Sequence, residues 1–531
     1  MKSKSKFRSL LIIVAILAMV FVTACGNSGD ATKPDTGDTG GDTPPATSDG
    51  PQLGGNVNIV NTAEGAAPIG VPWENVTTDS LLLGPCVEAL VVESSEGIVT
   101  PWLAKSFEVD LDKGEIRFVL EEGVKFHDDT DFNADAAVFC LEKAIADVTL
   151  VGATGVYKIA DYEIAITFDE YANSLLNRLA ARSNGFVSPT AFEANGIEWA
   201  RENPVATGPF KFESYTRGEE CSFVKNENYW RDGQPYVDSV KFLFIKDVMT
   251  VNAAMQASGD QAITMLNTVN GEQISTLRGM NPDFRIDSMP IGPLVLVPDS
   301  TNESSPLANV EVRKAIAWAI DRDSIVAARG FGVYTPATQM ISKEWPAFLP
   351  ETESFGYDVE KAKKILADAG YPDGFATKIA AMPNYADRDS MVILQSQLAE
   401  IGITVELEFP DSGGYNNYRS NGWDGMLAQH FRAAPNLSNM LNIYLVPDTS
   451  LVDMKRPDGL LDALKIAREA PEQDFDLLSD VYQIMQDDVT MIPIFNIYDT
   501  YINQPYFHDA EFSFWGSSTM ALQNQMWLSD H

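Results

Sequence analysis

The sequence predicts a large α/β body with more than one hydrophobic core, and three features carry that expectation. Of 531 residues, 45% are hydrophobic and 10% aromatic, and the stretch after residue 53 is longer than a single core usually serves. Met391, Leu394, Leu398 and Ile401 recur at helical spacing, Gly402 stops the helix, and Ile403, Val405, Leu407 and Phe409 then alternate as a strand. Strand patterns also occur alone, at residues 55–60 and in the pair 157–159 and 162–168 around Asp161. Helix followed by strand, repeated along a chain, implies layered α/β packing.

The elements follow in order. Lys2, Lys4, Lys6 and Arg8 precede an apolar run over residues 10–22, too short to span a bilayer comfortably, and residues 1–24 therefore read as a signal peptide. The tetrapeptide VTAC at 22–25 resembles a bacterial lipobox, which implies that Cys25 carries a diacylglycerol thioether and begins the mature chain. Two acyl chains hold a protein on a membrane where one does not. Residues 25–53 form the lipidated end and a tether rich in Gly, Pro, Asp, Ser and Thr, with almost nothing to bury. A coil of that length reaches about 25–30 Å.

Further along, Cys140 falls on a helical stripe with Ala137, Leu141 and Ala144, and Cys86, Cys140 and Cys221 read as packing residues without metal or disulfide spacing. Asn309 caps a helix that buries Val312, Ala315, Ile316, Ala319 and Ile320, and Asp358 caps a second one ending at Gly370. An apolar helix over 477–485 precedes Pro493.

Composition removes several functions. A formal charge of −37 spread along the chain excludes nucleic-acid binding. There is no Gly-x-Ser-x-Gly elbow, His-Glu-x-x-His pair or phosphate-binding Gly/Lys loop, so the chain is not expected to be an enzyme. The four histidines, His127, His430, His508 and His531, supply no ligand pair at helical spacing, and no cofactor is expected.

Six blocks resemble one known family, the large extracellular solute-binding proteins (family 5) of oligopeptide, dipeptide and nickel ABC importers. They are VTPWLAKSF (99–107), EGVKFHD (122–128) with FNAD (132–135) and VFCLE (138–142), PVATGPF (204–210), NENYW (226–230), NVEVRKAIAWAIDR (309–322) and KAKKILADAGYP (361–372). Most of these residues read as scaffold: Gly208 and Pro209 as turn punctuation, Trp102 and Trp230 as core aromatics, Arg322 as a pair or cap near a helix end, and His127 as a turn residue.

The resemblance implies a two-lobed, periplasmic-binding-protein-like fold of the type II class with an extra subdomain, the ligand lying between lobes. Lobe I is expected to span residues 54–295 plus 495–531, with an inserted subdomain at about 95–200, and lobe II residues 296–494. The chain is expected to cross the hinge near 291–301 and return near 492–498. The implied role is a monomeric, lipid-anchored binding component on the extracellular face of the cytoplasmic membrane. It would capture a peptide or peptide-like ligand and deliver it to permease and ATPase subunits. The alternatives are a metal chelate or another acidic small molecule in the same fold, or presentation of the ligand to a sensor.

The segment GWDGMLAQHFRAAP (422–435) resembles the family's path from an aromatic–Asp pair, here Trp423 and Asp424, into the crevice. Peptide binders commonly place an aromatic six residues after that Asp and, three further on, an acid that receives the ligand's ammonium. Here those positions hold His430 and Ala433, and the ammonium anchor is missing. His430, Phe431 and Arg432 offer instead an imidazole, an aromatic face and a cation suited to a carboxylate, a blocked peptide or a chelate. Glu64, after the first strand, is a candidate replacement acid, and Trp345 and Tyr415 are further ligand-binding candidates.

Overall fold

The computed structural model describes residues 50–529 apart from 62–63, 65–66, 76–79, 95–96, 260–261, 269, 351, 353, 383–385, 433, 447–449 and 510–522. The signal peptide, Cys25, most of the tether and Ala433 lie outside the described residues.

The chain is organised on an 11-stranded sheet. One end is built from Phe210–Thr216, Glu220–Lys225, Ser239–Phe244, Asn56–Asn61 and Met265–Thr268, the other from Met426–His430, Phe375–Ala381 and Ile403–Glu408. Between them run two long antiparallel strands, Arg285–Pro298 of 14 residues and Ile492–Asn503 of 12, and the eleventh strand, Thr335–Pro336, pairs with the latter. Their outer partners differ along their length: Thr500–Asn503 pair with Met265–Thr268, whereas Leu294–Pro298 pair with Met426–His430. The ladder joining them shifts register between Pro290 and Pro293 and again between Leu294 and Val295. Shifts of this kind break pairing and bend the strand locally.

Period-2 alternation distributes the strand residues between the two faces of each end of the sheet. At the first end Val57, Ile59, Met265 and Tyr501 enter one core and Val60, Leu266 and Ile502 another. At the second end Val295, Val297 and Leu427 face one core, and Leu294, Leu296, Met426 and Ala428 the other. A separate four-stranded antiparallel sheet, ordered Ala104–Asp110, Glu115–Leu120, Glu163–Thr167, Gly155–Ala160, packs with helix Ala134–Ala146 onto the first core.

Local chemistry fixes the helix boundaries. Asn309 accepts the Glu311 N–H at 3.0 Å to begin helix Val310–Ala319, and Asp358 accepts the Lys361 N–H at 2.8 Å to begin Val359–Asp368. Helix Arg388–Glu400 ends before Gly402, whose φ of +83° suits glycine, and strand Ile403–Glu408 follows.

Cys86, Cys140 and Cys221 are free and buried, and burial pushes the Cys140 and Cys221 thiols up to about 12. Gly208 has a different role from punctuation. Its N–H donates to the Cys86 carbonyl at 2.8 Å, and a Cβ there would lie 2.5 Å from the same oxygen, so close backbone approach demands glycine.

Arg322 caps as expected but also ties distant segments. From a nearly closed interior it donates to the carbonyls of Ala317, Ile320, Ala337, Phe355 and Pro493 at 2.8–3.3 Å. Burial lowers its pKa to about 10 against the opposing pull of the Asp323 carboxylate. Arg322→Ala is expected to lower stability by about 3 kcal/mol or more, because buried carbonyls lose charge-assisted donors. Urea unfolding should show a lower midpoint at unchanged slope.

Candidate functional site

The segment 430–436 leaves the sheet beside the two long strands, and its first residues are fixed by them. His430 pairs with Leu294, and its Nε2 lies 3.1 Å from the Ile291 carbonyl. A carbonyl only accepts, so Nε2 carries the proton. Burial, and secondarily the Arg432 cation, lowers the imidazole pKa to about 4, so His430 is neutral at physiological pH. The Phe431 N–H donates to Pro293 O at 2.8 Å, and its ring packs on Tyr444 at 4.6 Å. The Tyr444 hydroxyl closes this corner, donating to His430 O at 3.2 Å and accepting the Arg432 N–H at 3.3 Å.

Four of the aromatic candidates belong to one buried cluster under the second end of the sheet: Trp345, Tyr415, Trp423 and Phe431. The Tyr415 hydroxyl donates to Ala428 O at 2.8 Å, and the Trp423 indole to Val297 O at 3.2 Å. None of these four side chains lines the cavity that Arg432 borders. Glu64 accepts the Tyr215 hydroxyl at 2.8 Å and the Gly218 N–H at 2.9 Å, both from its own end of the sheet. The Gly218 N–H is the main cause of its lowered pKa.

Arg432 lines a cavity of about 590 Å³. Residues 75–184 form one wall, including Glu93, Asn177 and Arg178, and residues 419–444 the other, including Arg419 and Asn439. Beside it the two walls meet. Asn173, buried at 1% exposure, donates from its amide to Ala467 O at 2.8 Å and from its backbone to Arg468 O at 2.8 Å. Its Oδ1 accepts from Asn436 Nδ2 at 3.0 Å and from Ser438 Oγ at 2.8 Å. Tyr171 donates to Pro471 O at 2.6 Å, and Asn436 also reaches Asn177 Oδ1 at 2.7 Å. Gly97, at φ +76°, lets its loop approach so closely that a Cβ would sit 2.1 Å from Pro435 O.

Sequence reasoning missed Asn173, Asn177, Arg178 and Glu93, and also Asp499 on the second long strand. The half-buried Asp499 accepts from Asn267 Nδ2 at 2.9 Å and Tyr501 Oη at 3.5 Å. Burial raises its pKa against the Asn267 amide and the Arg432 cation. Its signal was available: it is the only charged residue of IPIFNIYDTYIN.

Comparison with known proteins identifies the family. Residues 99–450 match the profile of the middle region of bacterial extracellular solute-binding proteins, family 5. The chain belongs to that family. Among curated family 5 relatives, the glutathione-binding protein GsiB of Shigella flexneri is 30% identical over 319 residues, 59% of this chain. The chain spans only 61% of the length of that relative. Among solved structures, HbpA2 from Haemophilus parasuis superposes with a TM-score of 0.78 at 20% identity, over 90% of this chain and 100% of that one. The periplasmic binding protein DppA from Helicobacter pylori, in complex with peptide STSA, superposes with a TM-score of 0.68 at 20% identity, over 90% and 99%. The fold is thus the two-lobed α/β architecture of periplasmic binding proteins, and the family is one of solute-binding proteins.

Proposed function

We propose that this family 5 chain is the binding component of an ABC importer and that it captures a peptide or peptide-like solute between two lobes. The observation that carries the reading is the cavity of about 590 Å³ walled by residues 75–184 on one side and 419–444 on the other. A ligand there touches both walls only when they are together, so it favours closure by its differential affinity for the closed state. Permease and ATPase subunits then receive the ligand from the closed form.

The lobes are assigned to residues 54–295 plus 495–531 and 296–494, with an inserted subdomain at about 95–200. Cys25 is assigned as the lipid anchor that keeps a monomeric body at the extracellular face of the membrane. Within the site Arg432 is the proposed ligand contact, on a corner shaped by His430 and Phe431.

The test is native mass spectrometry of the purified protein with a pool of di- to pentapeptides, followed by calorimetry on the peptides retained. One peptide per chain is expected, with Arg432→Ala weakening an acidic peptide about tenfold or more. A protein that neither retains nor binds any member of the pool overturns the peptide reading, and unchanged affinity in the variant removes Arg432 from the site.

A further inference from the structure

The cavity between the walls is cationic, although the chain as a whole carries −37. Arg178 enters from one wall, Arg419 and Arg432 from the other. Among the described residues the Arg178 side chain has neither an ion pair nor a hydrogen bond, and burial lowers its pKa. Arg419 donates from Nη2 to the neutral Ser450 hydroxyl at 2.6 Å, while its Nε is buried with no acceptor.

Arg432 interacts with the Asp499 carboxylate, which does not line the cavity, and the acids on the walls do not balance Arg178 and Arg419. Asp147 is exposed at the rim. Burial pushes the Glu93 carboxyl up to about 8, against the hydrogen bond donated by the Asn177 amide, so at pH 7 it is mostly protonated. Two further lining residues, Asn75 and Asn184, hold buried amide oxygens with no donor among the described residues. A desolvated cation such as Arg178, with no counter-ion among the described residues, is unfavourable in an empty protein and favourable once an anion arrives. Guanidinium forks pair bidentately with carboxylates and phosphates, and of these two the carboxylate is the anion an ordinary peptide carries.

We infer that the wall arginines Arg178 and Arg419, with Arg432, form a subsite for a side-chain or second carboxylate, so that the preferred ligand is an acidic peptide carrying at least two carboxylates. The inference rests on the peptide-binding reading above and specifies its substrate class. Arg178 matters most, because it comes from the wall opposite the other two, and an anion bridging all three ties the walls together.

The experiment offers the purified protein two equimolar tripeptide pools, identical except that one carries glutamate where the other carries glutamine, and reads the bound fraction by native mass spectrometry. Citrate is titrated separately as a non-peptide tricarboxylate. The expected result is a preference for the glutamate pool of about tenfold or more. Arg178→Gln should shrink that preference toward unity while the melting temperature stays unchanged.

Equal retention of both pools, or preference for glutamine, overturns the carboxylate subsite and leaves the peptide reading intact. Binding of citrate with neither pool retained supports the cationic subsite and overturns the peptide. Failure of all three probes overturns both. The comparison of pools is made on the unaltered protein, so it decides the question even if Arg178→Gln fails to fold.

Discussion

Glu88→Ala is expected to destabilise the protein by about 3–5 kcal/mol, among the largest effects of any single substitution in the first core. Glu88 is 2% exposed and accepts from three donors at once: the Trp102 indole at 2.8 Å, the Tyr229 hydroxyl at 2.7 Å and the Trp230 indole at 3.1 Å. Arg231 lies over both indole rings, 3.7 Å from the Trp102 centroid and 4.4 Å from that of Trp230. Alanine leaves three interior donors without an acceptor and opens a void beneath them. Glu88→Gln keeps one acceptor oxygen and the packing, so it should retain more than half of the lost stability. Urea unfolding of both variants checks this. A loss below 1 kcal/mol for alanine would show that water replaces the carboxylate and that the aromatic cluster holds without it.

Asn173→Ala is expected to act on closure and not on folding. The Asn173 side chain makes its hydrogen bonds to Ala467, Glu472, Asn436 and Ser438, all beyond residue 430, while its backbone carbonyl, which alanine keeps, accepts the Leu176 N–H of its own helix, Ser174–Arg178. Removing the amide costs the closed state two or more buried hydrogen bonds, each contributing about 1 kcal/mol. The apparent affinity for a ligand falls with the fraction of closed protein, so a weakening of about tenfold or more is expected. Small-angle scattering should report a larger radius of gyration for the variant, while thermal unfolding stays close to that of the parent. Unchanged scattering and affinity would show that the walls are held by the long strands alone.

Much of the fold was legible because its elements are long and periodic. The caps at Asn309 and Asp358, the stop at Gly402 and the strand after it are local signals, and local signals survive without knowledge of the fold. Cys140 and Trp102 were likewise read correctly as interior residues, whereas Trp230 is only partly buried against the same core, and both tryptophans donate to Glu88, a lone acid inside the apolar run CVEALVV.

The site was far less legible. Arg432 could be reached through a resemblance, but its companion Arg178 ends a five-residue helix, too short for periodicity to mark a face. Asn173 finds its partners 263 residues or more away, and no local pattern encodes such a meeting. Gly97 reads as an ordinary turn glycine until Pro435 is seen beside it. Glu64 looked available because it follows a strand end, and only the positions of Tyr215 and Gly218 show that both donate to its Oε1.

The register shifts between Pro290 and Val295 carry a mechanical consequence. Two paired strands make a ribbon, and a ribbon is compliant across its flat face but stiff within its plane. Interrupting the ladder concentrates that compliance over a few residues. In the closure proposed above, such a joint would let the walls nod about one axis while resisting sliding and shear, and would return Asn173 to the same acceptors. Opening needs only that small polar seam to part. The ladders on either side of the interruption are continuous, so the proposed opening would not require them to unpair.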